Sequence, residues 1–119
     1  MIDTHLAKKE AVFANIIWEN APLTSPDLVK IAEKELNWKK STTYTVLKKL
    51  CNKGIFKNEN AVVSAVVSKE EYNFLESERL IEQSFDGSLP EFFAAFTSRR
   101  KLTEKEIGEL YRVLDEYKD

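Results

Sequence analysis

The sequence predicts a mainly α-helical protein with one small β-hairpin, in which an N-terminal winged helix-turn-helix precedes a C-terminal helical region. Segments with apolar residues at helical spacing fill most of the chain, and one β-branched segment, residues 61–67, interrupts them. Only three Gly and three Pro occur in 119 residues, which is few for a β fold with many turns. The predicted order of helix, helix, helix and hairpin is that of a winged helix-turn-helix.

The first two helices are predicted from apolar periodicity and from helix stop and start signals. Apolar residues recur at helical spacing over residues 6–20, and Pro22 ends that pattern. Ser25 is a favourable N-cap and Pro26 suits the first helical position, so a second helix is expected from there to about Leu36.

The third helix is predicted from about residue 40 or 41 to Gly54, a glycine suited to a helix C-terminus. Thr43, Val46, Leu47 and Leu50 follow the spacing i, i+3, i+4, i+7, which defines one buried face. The remaining positions are then expected on the outer surface: Ser41, Thr42, Tyr44, Thr45, Lys48 and Lys49.

A hairpin is predicted after the third helix, with strands at residues 55–57 and 61–67 and a turn at residues 58–60. We call this hairpin the wing. A winged helix-turn-helix places its last helix in the major groove of DNA. Residues 1–67, which end with the wing, are therefore the predicted DNA-binding domain, and residues 68–119 form the predicted helical region.

Capping signals place three further helices in the C-terminal region. Ser68 with Glu71 has the spacing of a capping box, and that helix is expected to end near Glu82. Pro90 opens a short helix. Thr103 with Glu106 forms a second capping box for a last helix that ends near Tyr117.

The C-terminal region has more apolar surface than three short helices can enclose by themselves. The helices could fold back on the first domain or pack against a second copy of the chain. We favour the second copy, because a two-fold dimer also suits a pseudo-palindromic DNA site. The predicted dimerisation residues are Tyr72, Leu75, Phe92, Phe93, Phe96, Ile107, Leu110, Tyr111 and Leu114.

Charge is distributed unevenly along the chain. Residues 39–58 carry six Lys and no acid, a net charge of +6, whereas residues 1–38 and 59–119 carry −2 and −6. A basic block in an acidic protein suggests a face that binds a polyanion such as DNA. The alternative is a lysine-rich helix that is merely solvated.

Composition argues against an enzyme. The chain has one His and one Cys, so a single chain offers neither a two-His metal site nor a disulfide, and it has no glycine-rich phosphate loop or Gly-x-Ser-x-Gly turn. No cofactor or metal is expected. No apolar run approaches the ~20 residues that span a bilayer. We therefore expect a cytoplasmic protein with no membrane partner.

Several short motifs follow one another at defined spacing over nearly the whole chain, at residues 16–18, 23–24, 27–29, 38, 41–50, 53–54 and 106–116. In their order and spacing these motifs together resemble the penicillinase repressor family (the BlaI/MecI/CopY type). The resemblance implies a cytoplasmic, dimeric transcriptional repressor that binds a palindromic operator. In the β-lactam-sensing branch, a receptor protease signal leads to cleavage within the dimerisation region, and the matching position here is Ala95–Phe96.

The sequence departs from the family in three places. Residues 58–68, which correspond to the family's wing, form a shorter stretch with neither an Arg nor an aromatic residue. The usual Asn-Phe cleavage site is replaced by Ala95–Phe96, and the cysteine cluster of the copper-sensing branch is absent. The last departure disfavours copper sensing by that route.

We expect the third helix to contact DNA. Its outward hydroxyl-bearing residues would reach base edges or nearby phosphates, and its lysines would neutralise phosphates. Ser41 could instead cap the helix, and the lysines could be solvated. The rival function is a winged-helix adaptor that binds another protein without specific DNA binding. The predicted DNA-binding residues are Lys39, Lys40, Ser41, Thr42, Tyr44, Thr45, Lys48 and Lys49.

Overall fold

The computed structural model describes residues 5–119 and confirms a mainly helical fold with a small antiparallel sheet. None of the helices in this part of the chain is long and apolar enough to cross a membrane. In chain order the elements are α1 (Lys8–Asn20), β1 (Leu23–Thr24), α2 (Ser25–Leu36), α3 (Lys40–Asn52), β2 (Phe56–Glu59), β3 (Val62–Ala65), α4 (Lys69–Phe85), α5 (Leu89–Thr97) and α6 (Glu104–Tyr117).

The chain forms two compact units, the first ending at Ser77 and the second running from Glu78 to Asp119. The division therefore falls inside α4, ten residues after the predicted domain boundary. The first half of α4 packs with the winged helix, because the Tyr72 ring lies 5.3 Å from the ring of Trp18. The assignment of DNA binding to residues 1–67 and dimerisation to 68–119 stays a prediction.

Apolar residues of α1, α2, α3 and the sheet form the core of the first unit. Phe13, Ile17, Leu28 and Leu50 are fully buried, and Trp38 packs on Phe13 with 5.0 Å between ring centroids. The predicted inner face of the third helix is confirmed. Its buried members are Thr43, Leu47 and Leu50, with Val46 half-buried.

The wing is a hairpin with a two-residue turn. β2 pairs with β3 from Phe56↔Ala65 to Glu59↔Val62, so the turn is Asn60–Ala61 and not residues 58–60 as predicted. Both turn residues have positive φ, 53° and 62°, which matches the twist of a tight hairpin. The two residues of β1, which were not predicted as a strand, add to the free edge of β3.

The start of α2 differs by one residue from the prediction. Thr24 is the N-cap, with its hydroxyl accepting a hydrogen bond from the backbone N–H of Asp27 at 3.2 Å. Ser25 is instead the first helical residue and is buried. Thr24 can take this role because it ends β1 in the extended backbone conformation that an N-cap needs.

The second unit has no buried interior among its residues. Its helix starts agree with the sequence, because Pro90 lies in the first turn of α5 and the Thr103–Glu106 capping box opens α6 as predicted. Ser88, which was not predicted as a cap, is the N-cap of α5. Phe92 packs against three other phenylalanines, with centroid distances of 5.5–6.0 Å. These contacts order the helices but leave a large apolar surface exposed, including Tyr111 at 67% and Leu114 at 58%.

Candidate nucleic-acid interface

The first turn of α3 is left without a side-chain cap. Lys39 occupies the N-cap position and makes no capping hydrogen bond, and the Thr43 hydroxyl donates to the Lys39 carbonyl at 3.2 Å. Ser41 lies inside the helix, so it does not fill the N-cap position considered above. The start of α3 thus presents unbonded N–H groups between exposed lysines, a geometry that attracts anions.

Three of the four predicted hydroxyl-bearing residues face outward. Ser41, Thr42 and Thr45 are exposed. The Thr45 hydroxyl donates to the Ser41 carbonyl at 2.9 Å, so its hydrogen atom is already used within the helix. A threonine held this way offers its methyl group for apolar contact.

Tyr44 does not belong to this outward set. Its side chain is half-buried and packs against the core of the first unit. Its hydroxyl donates to the Ser25 Oγ atom at 3.4 Å. The expectation that Tyr44 lies on the outer surface was therefore wrong, because its ring is long enough to turn back toward the start of α2.

Half of the lysines in the basic block are already paired. The Lys49 Nζ atom lies 2.7 Å from the Glu10 carboxylate, and Lys53 donates to the His5 carbonyl at 2.5 Å. In the wing, Lys57 lies 3.9 Å from Glu59. Within the described part of the chain, the block's other three lysines make no ion pair: Lys39, Lys40 and Lys48.

Glu10 is the acid that compensates this face. Its hydrogen bond with Lys49, together with that from the backbone N–H of Ala7, lowers the pKa of its carboxyl group below the ordinary value. The carboxylate is mostly enclosed, with 12% of the side chain exposed. Lys49 is thus held by α1 and is less available to a phosphate than Lys48.

The predicted dimerisation residues fall into two places. Tyr72 and Leu75 lie in the first unit, where Tyr72 contacts Trp18. The others lie in the second unit on α5 and α6, half-buried or exposed: Phe92, Phe93, Phe96, Ile107, Leu110, Tyr111 and Leu114.

An apolar groove of about 570 Å³ runs between α5 and α6 in the second unit. Four residues absent from the predicted set line it beside the expected ones. These are Leu89, Pro90, Leu102 and Val113. Leu89 and Val113 could have been found from the sequence, because they sit on the same helices as the predicted residues.

The Ala95–Phe96 bond lies in the last turns of α5, and both residues are exposed. The guanidinium of Arg100 lies 5.2 Å from the centroid of the Phe96 ring and also contacts Glu106 at 3.0 Å. The basic segment that follows α5, residues 99–101, is therefore held to both α5 and α6 through the contacts of Arg100.

No cluster of three or more His, Cys, Asp or Glu side chains that could hold a metal occurs among residues 5–119. Cys51 is half-buried, and burial raises the pKa of its thiol. A raised pKa keeps the thiol protonated and unreactive near neutral pH.

Comparison with known proteins gives one family. A family model described as "Penicillinase repressor" matches residues 6–116. The penicillinase repressor of Bacillus licheniformis is 23% identical over 118 residues, covering 96% of this chain and 92% of the relative. The methicillin resistance regulatory protein MecI of Staphylococcus aureus is 22% identical over 114 residues, covering 92% and 93%.

Proposed function

Because the chain belongs to the penicillinase repressor family, a family of transcriptional repressors, we propose that it acts as a dimer that binds a palindromic DNA operator through α3. The observation that carries this proposal is the start of α3. There, uncapped backbone N–H groups, exposed hydroxyls and unpaired lysines occur together on one surface.

In this proposal, α3 lies in the major groove with its first turns toward the bases. Ser41 and Thr42 contact base edges, and the Thr45 methyl group contacts a thymine methyl group. Lys39, Lys40 and Lys48 neutralise phosphates, and the helix N-terminus adds its own attraction for one phosphate. Lys49 contributes less, because Glu10 holds it.

We propose that the second copy of the chain covers the apolar faces of α5 and α6. The absence of a buried interior in residues 78–119 supports this, as does the groove between the two helices. Monomeric proteins rarely leave contiguous apolar surface of this kind open to water. Two-fold pairing would also set two copies of α3 about one turn of DNA apart, or a multiple of one turn.

A gel-shift experiment tests the proposed function. The purified chain is titrated against the DNA upstream of its own gene and against random duplex of equal length, over a series of salt concentrations. Three unpaired lysines in each protomer give six phosphate contacts per dimer, so we expect a log–log salt slope of about −5 for the operator. Equal binding to both duplexes at low salt would contradict operator recognition and favour the protein-interaction adaptor.

We further propose that a regulatory protease ends repression by cutting at Ala95–Phe96 in the cytoplasm. The exposure of both residues and their position near the end of α5 support this. Cleavage there would detach α6 from the rest of the chain. Mass spectrometry of repressor recovered from induced cells should find a product that ends at Ala95, and intact chain under full induction would contradict the proposal.

A further inference from the structure

We propose that Tyr44 is a positioning residue that fixes α3 relative to the wing through Ser25, and does not read bases itself. The inference rests on the proposed DNA-binding function. It concerns the relationship between two surfaces that would contact DNA, the recognition helix α3 and the turn of the wing.

Ser25 connects these surfaces through two different groups. Its backbone N–H donates a hydrogen bond of 2.8 Å to the carbonyl of Ala61, one of the two turn residues of the wing. Its hydroxyl oxygen accepts from the hydroxyl of Tyr44 at 3.4 Å. One residue at the start of α2 therefore contacts both α3 and the wing turn.

The environment of Ser25 makes this connection specific. Ser25 as a whole residue is only 4% exposed, so bulk water has little access to the hydroxyl that Tyr44 contacts. Pairing of Thr24 with Val62 holds the residue just before Ser25 against the part of β3 that directly follows the wing turn. A shift of Ser25 is thus transmitted to the turn through the backbone.

The Tyr44 ring is suited to act as a spacer. It is half-buried and packs against the core, and it spans from α3 to the first residue of α2. The helices α2 and α3 would otherwise be related in this region only by apolar packing, which tolerates sliding more readily than a directional hydrogen bond. A fixed spacing between α3 and the wing favours DNA binding, since both must contact their grooves or phosphates at the same time.

Two conservative substitutions, alone and combined, test the proposal. Tyr44→Phe removes the hydroxyl and keeps the ring, and Ser25→Ala removes its partner at a site that does not face DNA. Each should weaken operator binding by roughly two- to tenfold, the usual range for one hydrogen bond. The double variant should lose no more than either single variant, whereas binding to random duplex should stay unchanged.

A second measurement needs no DNA. In ¹H–¹⁵N spectra of the full chain, Tyr44→Phe and Ser25→Ala should both move the amide resonances of Asn60 and Ala61. Tyr117→Phe serves as the control, because it removes a phenol hydroxyl from an 80% exposed residue outside the first unit and should move neither.

Two results would overturn the proposal. One is a Tyr44→Phe variant with altered preference at a single base pair while Ser25→Ala binds as the wild type does, because Tyr44 would then read a base. The other is a pair of variants that change neither the turn resonances nor operator binding. If the wild-type chain does not distinguish operator from random duplex, the proposed function fails and this role fails with it. That result is recognised before any variant is made.

Discussion

The Lys49 ammonium group of α3 lies 2.7 Å from the carboxylate of Glu10 in α1, which is mostly enclosed. An outward lysine of α3 is thus already neutralised within the protein. The pair links two helices that are distant in sequence. It also makes the two neighbouring lysines different, because Lys49 is paired with Glu10 whereas Lys48 makes no ion pair in the described part of the chain.

Replacing Glu10 with Gln should strengthen DNA binding in a way that depends on salt. The introduced amide would keep an oxygen for the N–H of Ala7, so α1 retains its first-turn hydrogen bond. Lys49 loses its counter-charge and becomes available to a phosphate. The log–log salt slope should steepen by about 1 per protomer. Glu19→Gln, at an exposed position of the same helix, makes the same charge change and should alter the slope little.

Replacing Lys48 with Ala should have the opposite effect. The affinity for operator and for random duplex should fall by similar factors, and the slope should flatten by about 0.9 per protomer. Lys49→Ala should flatten it less, because its charge is compensated in the wild type. Equal slopes for the two variants in filter-binding or gel-shift titrations would contradict the division of roles between the two lysines.

The Glu10–Lys49 pair also predicts a pH dependence of folding. The pKa of Glu10 is lowered in the folded chain from its ordinary value of 4.5, chiefly by the hydrogen bond with Lys49. A carboxyl group of this kind stabilises the fold above pH 4.5 and loses that contribution as the pH falls through its lowered pKa. The free energy of unfolding of the wild type should therefore exceed that of Glu10→Gln near neutral pH. The gap should close in more acidic urea titrations.

Truncation of Leu114 should weaken association without unfolding the chain. Leu114 is 58% exposed in the protomer, so its removal costs little folding free energy. If a second copy covers it, Leu114→Ala should weaken the dimer by about 2 kcal/mol per protomer. Arg112→Ala on the same helix lies outside the groove and provides the matched control. Sedimentation equilibrium measures both, and identical dissociation constants for wild type and Leu114→Ala would argue against this dimer face.

Gly108 lies inside the continuous helix α6, and no contact within the protomer requires a glycine there. A Cβ atom added there meets nothing within 4 Å. Gly108→Ala should accordingly raise the helicity of the dilute protomer and stabilise α6 by about 0.5–1 kcal/mol. Circular dichroism at low concentration measures this gain. A loss of helicity would contradict the open space around Gly108, because it would mean that atoms outside the protomer crowd an added methyl group there.

Local signals in the sequence predicted the helices well. The Thr103–Glu106 capping box, Pro90 and Pro22 each act within a few residues, so their effect is visible without knowledge of the fold. The inner face of α3 also followed from spacing alone. The sequence prediction misplaced the turn of the wing because Ala61 has a positive φ. An alanine rarely adopts this conformation, so its presence in the sequence does not indicate a turn.

The features that could not be predicted depend on distant partners. The two residues of β1 form a strand only because the edge of β3 is open beside them. Glu10 and Lys49, or Tyr44 and Ser25, meet only after α1, α2 and α3 have packed. The spacing pattern placed Lys49 and Tyr44 on the outer surface of the third helix, and tertiary contacts decided what those two side chains do.

The lack of a buried interior in residues 78–119 has a thermodynamic consequence. The heat capacity increment of unfolding scales with the apolar area that unfolding newly exposes to water. In a single chain, much of the apolar surface of residues 78–119 is already exposed before unfolding. A calorimeter should thus register, for a solitary molecule, an increment dominated by its first 77 residues. The contribution of residues 78–119 to the heat capacity increment should appear only as the protein concentration is raised.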